Sequence, residues 1–184
     1  MEKRVEYLVT NQIIIEEIAD KEKETVRRIL VESYQQYEKE YTNPQIWDNY
    51  LSSIKASVDN PDVKKILVAK SEDHILGTLQ LFESSVAAYQ KPELEIFSPI
   101  IRLLAVHPEA RGLGVAQALI KAGVEFAKSQ GADKLYLHSS DKMQKAIRLY
   151  EWLGFKRDET KEFRNNDILV KCFRLDLKMG ENYE

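Results

Sequence analysis

Six consecutive residues, Arg111-Gly112-Leu113-Gly114-Val115-Ala116, follow the apolar run Leu103-Leu104-Ala105-Val106 and its His107-Pro108 exit. A strand that runs into a glycine-bearing turn and straight on into a helix aims several backbone N–H groups at one point. It aims the positive end of a helix dipole there too, which suits an anion. Gly112 and Gly114 let the backbone approach a phosphate with no Cβ in the way. A Walker loop requires Lys-Ser or Lys-Thr after its last glycine, and Val115-Ala116 stands there instead. The dinucleotide fingerprint wants a small residue three positions after its second glycine, where this chain has Gln117, and no acidic residue at the right distance compensates. The alternative in which the glycines serve only tight strand-to-helix packing stays open on these residues alone.

Arg111-Gly112-Leu113-Gly114-Val115-Ala116 resembles the Arg/Gln-x-x-Gly-x-Gly/Ala loop of the GNAT acetyltransferases, which binds the pyrophosphate of coenzyme A. Leu104-Ala105-Val106-His107-Pro108 is similar to that family's fourth strand and its exit. Downstream, Ala146-Ile147-Arg148-Leu149-Tyr150-Glu151-Trp152-Leu153-Gly154-Phe155 resembles the family's Ala-x-x-x-Tyr-x-x-x-Gly-Phe signature. The two blocks stand in the family's order with a strand between them. Element order agrees from Lys65 to Leu177, whereas sharp similarity is confined to Leu103 to Phe155.

The resemblance implies an α/β fold in one N-acetyltransferase domain over residues 1–184, with its core at 13–178. The sheet would be mixed and largely antiparallel, splayed at strands 4 and 5, with helices on both faces. It implies acetyl-CoA as co-substrate, no metal, and direct attack by a primary amine of a small molecule or peptide in a ternary complex. Arg111, Gly112, Leu113, Gly114, Val115 and Ala116 would hold the diphosphate. The backbone of Leu104, Ala105 and Val106 would hold the pantetheine and thioester, with an N–H of Leu104 or Val106 as oxyanion donor. The alternative is a catalytically silent acetyl-CoA or ligand-binding module of the same fold; a third reading is a nucleotide-binding regulator.

Acetyl transfer to an amine needs a neutral amine, a stabilised oxyanion and a proton for the departing thiolate. Tyr150 is the candidate acid, since a phenol and an alkyl thiol are of similar basicity. It also reads as an aromatic on the apolar face of an amphipathic helix. His138, near the end of a strand and on the same face as Tyr136, is the candidate base, and equally reads as a strand histidine satisfied by neighbouring backbone. Glu95 and Glu83 are weaker alternatives. One departure stands out: where family members often carry a cofactor-contacting Asn, this chain has Met143, which leaves that contact to Ser139, Ser140 or Lys145.

The elements that must position these residues follow from patterning. Ile13-Ile14-Ile15 reads as a first strand, and Val26, Ile29, Leu30, Ser33 and Tyr37 recur at helical spacing. Asn43-Pro44 supplies a cap and a first-position proline for a helix carrying Trp47, Tyr50, Leu51 and Ile54. Lys65 to Lys70 and Ile75 to Phe82 read as a hairpin, Ser84 to Glu93 as a loose stretch, and Ile100 to Val106 as a central strand. Val115 to Lys128 is helical, Lys134 to His138 a strand, and Asp141 the expected cap of the helix that carries Tyr150. Phe155 to Arg157 and Leu169 to Leu177 close the sheet around the polar turn Arg164 to Asp167. Tyr34, Tyr37, Glu38, Tyr41, Trp47 and Tyr50 could form an aromatic-acidic wall suited to a cationic amine, or simply pack over the sheet.

The chain has 184 residues, 43% of them hydrophobic and 31% charged, with net charge −3. It fits one soluble globular domain. That balance speaks against a nucleic-acid binder. No apolar run approaches a membrane span, and Met1 to Thr10 does not read as a signal peptide, so neither membrane nor nucleic acid is expected as a partner and the expected location is cytoplasmic. The lone Cys172 lies in an apolar stretch and reads as a buried structural thiol. The apolar last strand suggests pairing with a second subunit as a homodimer.

Overall fold

The structure is a computed structural model that describes residues 12–177. Met1 to Thr10 and Lys178, on which two of the expectations above fall, lie outside the described residues. The chain opens with β1 (Ile14–Glu17), α1 (Lys23–Tyr34) and α2 (Pro44–Ala56), followed by β2 (Lys65–Ser71) and β3 (His74–Phe82). Next come a short α3 (Ser85–Tyr89), β4 (Ile100–Val106), α4 (Val115–Ser129), β5 (Lys134–Ser140) and α5 (Gln144–Trp152). Three strands close it: β6 (Lys156–Arg157), β7 (Phe163–Asn165) and β8 (Ile168–Asp176).

The strands join in the order β1-β2-β3-β4-β5-β8-β6, with β7 also against β8. β1–β2, β5–β8, β6–β8 and β7–β8 are antiparallel, while β4 and β5 run parallel, so the sheet is mixed and mostly antiparallel as expected. The β5–β8 ladder runs from Lys134–Asp176 to Ser140–Val170. The β4–β5 ladder consists of Ile100–Tyr136 and Ile101–Leu137. From His138 onward β5 is therefore laddered to β8 and no longer to β4. This is the parting of strands 4 and 5 that the resemblance implied. β8 is paired on both sides, which corrects the expectation that the last strand offers a free edge to a second subunit.

Packing groups the residues into two compact units. The first comprises residues 12–61, Lys65–Gln80 and Leu103–Ala122; the second comprises Asp62–Lys64, Leu81–Arg102 and residues 123–177. In the first unit α2 starts where a cap was expected: the Asn43 side chain accepts from the Gln45 N–H at 2.9 Å, with Pro44 at the first helical position. Gly77 of β3 makes room for α4, since a Cβ there would sit 2.8 Å from the Ala105 carbonyl oxygen and 2.9 Å from Val115 Cγ1.

In the second unit the parity of β5 sorts the helices. Ile101 and Leu137 face one way, and α4 packs there, with Gly123 beside Ile101 and Leu81. Tyr136 and His138 face the other way, where α3 lies with Tyr89 against His138. Helices thus cover both faces. Phe82, Leu94, Ile96, Ile100, Tyr136 and Cys172 form the core on the α3 side. Burial pushes the Cys172 thiol up, which leaves it an inert packing group.

Three local expectations need correction. Ser84 to Glu93 is not wholly loose: the Ser84 hydroxyl accepts from the Ala87 N–H at 3.2 Å and starts α3, a helix too short to show a period. Asp141 does not cap α5; Met143 stands at that position with no side-chain cap bond. The polar turn at Asn166 closes a hairpin whose first arm, β7, is only three residues long.

Candidate active site

The glycine loop lies in the first unit. Gly112 has φ +78° and Gly114 φ +80°, conformations in which a Cβ strains the chain, and a Cβ built at either would meet nothing within 4 Å. Both glycines therefore face open space. The first intrahelical bond of α4 is Ala118 N–H to the Gly114 carbonyl at 3.0 Å. Among the described residues none accepts from the backbone N–H of residues 113–117. These donors, with the dipole of a four-turn helix behind them, are the observation against which a diphosphate is tested, and they fit one. Arg111 is exposed beside them and opposes the burial that raises the Tyr37 phenol pKa. Val115 is buried and anchors the helix, while Leu113 and Ala116 are half-buried.

The strand leading into this loop is kinked. Leu103 takes φ +50°, a left-handed conformation that is costly for a branched side chain inside a strand. Its effect is to re-aim the backbone of Leu104, Ala105 and Val106. The Tyr34 hydroxyl reaches the Leu104 carbonyl at 3.4 Å, tying α1 to this segment. Tyr34 also meets Tyr37 and Tyr50 edge-on, and Tyr41 stacks with Tyr50 and tilts on Trp47. Tyr34 and Trp47 are buried, Tyr37, Tyr41 and Tyr50 half-buried, and Glu38 exposed. The aromatic wall therefore exists as one connected ring cluster, most of it turned into the fold.

Tyr150 belongs to the second unit. It lies on the inner face of α5, 8% exposed, with its ring 6.3 Å from Phe155 and 6.2 Å from Phe173. The Gly-Phe part of the signature has a physical role here. The chain turns at Gly154, the Phe155 N–H returns to the Tyr150 carbonyl at 3.0 Å, and the Phe155 ring folds against the phenol. At the front of the same helix the Ser140 hydroxyl accepts from the Lys142 N–H at 3.1 Å. Ser139 is buried, Met143 half-buried and Lys145 exposed.

His138 is held at both ring nitrogens. Nε2 lies 3.0 Å from the Lys161 carbonyl oxygen, which can only accept, so Nε2 carries the proton. Nδ1, 3.0 Å from the Tyr89 hydroxyl, must then accept from it. Burial drives the imidazole down from 6.5 to about 4; the bond to Lys161 opposes this, and the Arg102 charge adds to it. The ring is neutral at neutral pH. Burial likewise pushes the Tyr89 phenol well above an ordinary tyrosine, opposed by Arg102 and reinforced by Cys172 and Tyr150. Tyr89 is thus tied to His138 by a hydrogen bond and an edge-on ring contact. Of the weaker alternatives, Glu83 pairs with Lys64 at 3.2 Å and Glu95 is exposed.

Tyr89 and Arg102 were absent from the sequence reading. The Arg102 guanidinium lies 4.7 Å from the Tyr89 ring centroid and 5.5 Å from that of Phe82, and its Nη1 donates to the Ala88 carbonyl at 2.6 Å. The available signal was a single arginine in an otherwise apolar central strand.

A sequence model of the acetyltransferase (GNAT) family matches residues 23–155. Human N-acetyltransferase 8B is 30% identical over 120 residues, covering 60% of this chain and 50% of that protein. Mycothiol acetyltransferase of Thermobispora bispora is 40% identical over 57 residues, 31% of this chain and 19% of that protein. The chain spans about half the length of the N-acetyltransferase 8B proteins it matches. Among solved structures, the PaiA N-acetyltransferase of Thermoplasma acidophilum in complex with coenzyme A aligns with TM-score 0.63 at 16% identity, covering 88% of this chain and 98% of that one. The yncA structure of Salmonella typhimurium with its cofactor acetyl-CoA aligns with TM-score 0.61 at 15% identity, covering 95% and 99%. At such identities the structural likeness speaks for the fold.

Proposed function

The chain belongs to the acetyltransferase (GNAT) family, and we propose that it moves the acetyl group of acetyl-CoA to a primary amine of a small molecule or peptide by direct attack in a ternary complex. The observation that carries this reading is the run of unpartnered N–H donors at residues 113–117 beside two open glycines. Bound acetyl-CoA would supply an activated thioester.

The protein's own groups do the rest. The amides of residues 111–116 take the diphosphate charge, and Arg111 adds a cation beside it. The backbone of Leu104, Ala105 and Val106 orients the thioester arm. An N–H of Leu104 or Val106 donates to the carbonyl oxygen as negative charge grows there. Tyr150 gives its phenolic proton to the departing sulfur. The amine attacks in its neutral form, and its surplus proton leaves to water. His138 can accept that proton only after Tyr89 turns its hydroxyl away. In the resting arrangement the neutral imidazole instead fixes the Tyr89 phenol.

The test is thiol release from acetyl-CoA with a panel of primary amines, alongside calorimetry with CoA, ATP and NAD. Amine-dependent thiol release and selective heat with CoA are expected. Heat with CoA but no release above hydrolysis would leave a silent binding module. Comparable heats with ATP or NAD would favour a nucleotide-binding regulator.

A further inference from the structure

Arg102 is a half-buried guanidinium without a counter-ion among the described residues. Its Nη1 is used by the Ala88 carbonyl and its faces by two aromatic rings. Among the described residues no carboxylate pairs with it, and Nε and Nη2 have no acceptor. Nε–H and Nη2–H lie side by side on one edge of the guanidinium plane, the fork that matches the two oxygens of a carboxylate. Neither donor is a buried orphan, so this edge of the guanidinium is open to solvent and accessible to a ligand anion.

The surroundings repeat the same bias. Tyr89 carries Arg102 on its ring and packs against Phe163, centroids 5.2 Å apart; Phe163 also meets His138 at 5.4 Å. Lys91 Nζ lies 5.1 Å from the Phe163 ring, and its only charged partner among the described residues is Glu93 at 3.9 Å. Among the described residues Lys161 Nζ reaches no carboxylate, only the Glu95 carbonyl at 3.4 Å. The carboxylates that influence His138 are taken up elsewhere: Glu162 by Arg157 at 2.8 Å and Asp158 by Arg174 at 3.3 Å. With His138 neutral, this aromatic cluster holds excess positive charge. A bare cationic amine would be repelled here; an amine that also carries an anion would not.

We infer that Arg102 receives a carboxylate borne by the acceptor, so that the acceptor is an amino acid or a short peptide-like amine with a free carboxylate, its apolar part lying against the half-buried rings of Tyr89 and Phe163. The inference rests on the acetyl-transfer reading, because it takes the Tyr89–His138 cluster as part of the acceptor side. One guanidinium with one open edge fits a planar two-oxygen group better than a phosphate, which gathers more donors.

The experiment uses the full chain, acetyl-CoA, and matched amines: amino acids and dipeptides, their carboxamides, and decarboxylated counterparts such as phenethylamine beside phenylalanine. The free acids should exceed the amides in kcat/KM by about tenfold or more, as expected when a site donor is left unmet by the analogue. Arg102→Gln should bring that ratio close to one, mainly through KM for the acids, and Arg102→Lys should keep part of it. A second readout needs no turnover: with CoA present, N-acetylphenylalanine should raise the melting temperature of the wild-type protein more than N-acetylphenylalaninamide does, and Arg102→Gln should remove the difference. Acetylation of amides as fast as acids, or discrimination unchanged in Arg102→Gln, overturns the inference and leaves acetyl transfer intact. Carboxylate-dependent binding lost in Arg102→Gln, with no amine acetylated, overturns acetyl transfer and with it the assignment of that carboxylate to an acceptor, leaving Arg102 as the seat of a non-reacting acid. No acid bound or acetylated overturns it outright. If Arg102→Gln does not fold, the wild-type acid-to-amide ratio and the lysine variant decide.

Discussion

The Tyr89 hydroxyl lies 3.0 Å from His138 Nδ1 and occupies the ring nitrogen that the Lys161 carbonyl, by holding Nε2–H, leaves unprotonated. Because Nε2–H is spent on the Lys161 carbonyl, protonating the ring requires Tyr89 to give up its acceptor and turn. The folded protein therefore resists a charge on His138 for a geometric reason as well as for burial.

Acid stability reads this out. The folded imidazole titrates near 4, below its ordinary 6.5, so between those values the unfolded chain binds more protons than the folded one. Stability is full above 6.5 and falls as pH drops toward 4. The urea midpoint of the wild-type protein should decline across that window, and His138→Gln should flatten the decline. Glu22 and Glu162, held below their ordinary 4.5, add losses of their own only below that value. An equal slope in both proteins between pH 6.5 and 5 would contradict the burial of a neutral ring.

Tyr150→Phe keeps the ring contacts with Phe155 and Phe173 and removes only the hydroxyl. CoA affinity by calorimetry should stay close to wild type, and the acetyl-transfer rate should fall on the order of ten- to a thousand-fold. A wild-type rate would return Tyr150 to a packing role.

Gly114→Val places a β-branched side chain at φ +80° and points its Cβ into the space the loop leaves open. The conformational strain should cost about 1–3 kcal/mol in chemical denaturation. CoA binding should be lost more severely than stability. Retained CoA heat would mean that the loop does not hold the diphosphate.

Gly77→Ala tests the packing beneath that loop. The new methyl would lie 2.8 Å from the Ala105 carbonyl, a backbone atom that cannot swing aside. Overpacking of this kind should lower stability by about 1–3 kcal/mol in a urea titration. An unchanged midpoint would mean that β3 and α4 separate at little cost.

Composition and local spacing carried much of the architecture. Asn43-Pro44 marked the start of α2, the apolar run 100–106 marked β4, and the glycines marked the turn into α4, because each signal resides in adjacent residues. Asp141 misled for the opposite reason: it is a good cap residue by type, yet the helix starts three residues later, behind Met143. α3 escaped because five residues cannot display a helical period. Within the candidate site, Tyr150 was legible through its signature, whereas Tyr89 was not. Its importance comes from partners at positions 102, 138 and 163, supplied by a strand, a strand and a hairpin that only the folded chain assembles.

Leu103 has one more consequence. A left-handed residue in mid-strand breaks the odd-even rule by which neighbouring side chains alternate, so β4 cannot be described by a single inward set. Exhaustive substitution along Ile100–Val106 should show two tolerance rhythms, out of step with each other at position 103. Replacing Leu103 itself by asparagine or glycine should relieve the strained torsion while sparing the rhythm on either side.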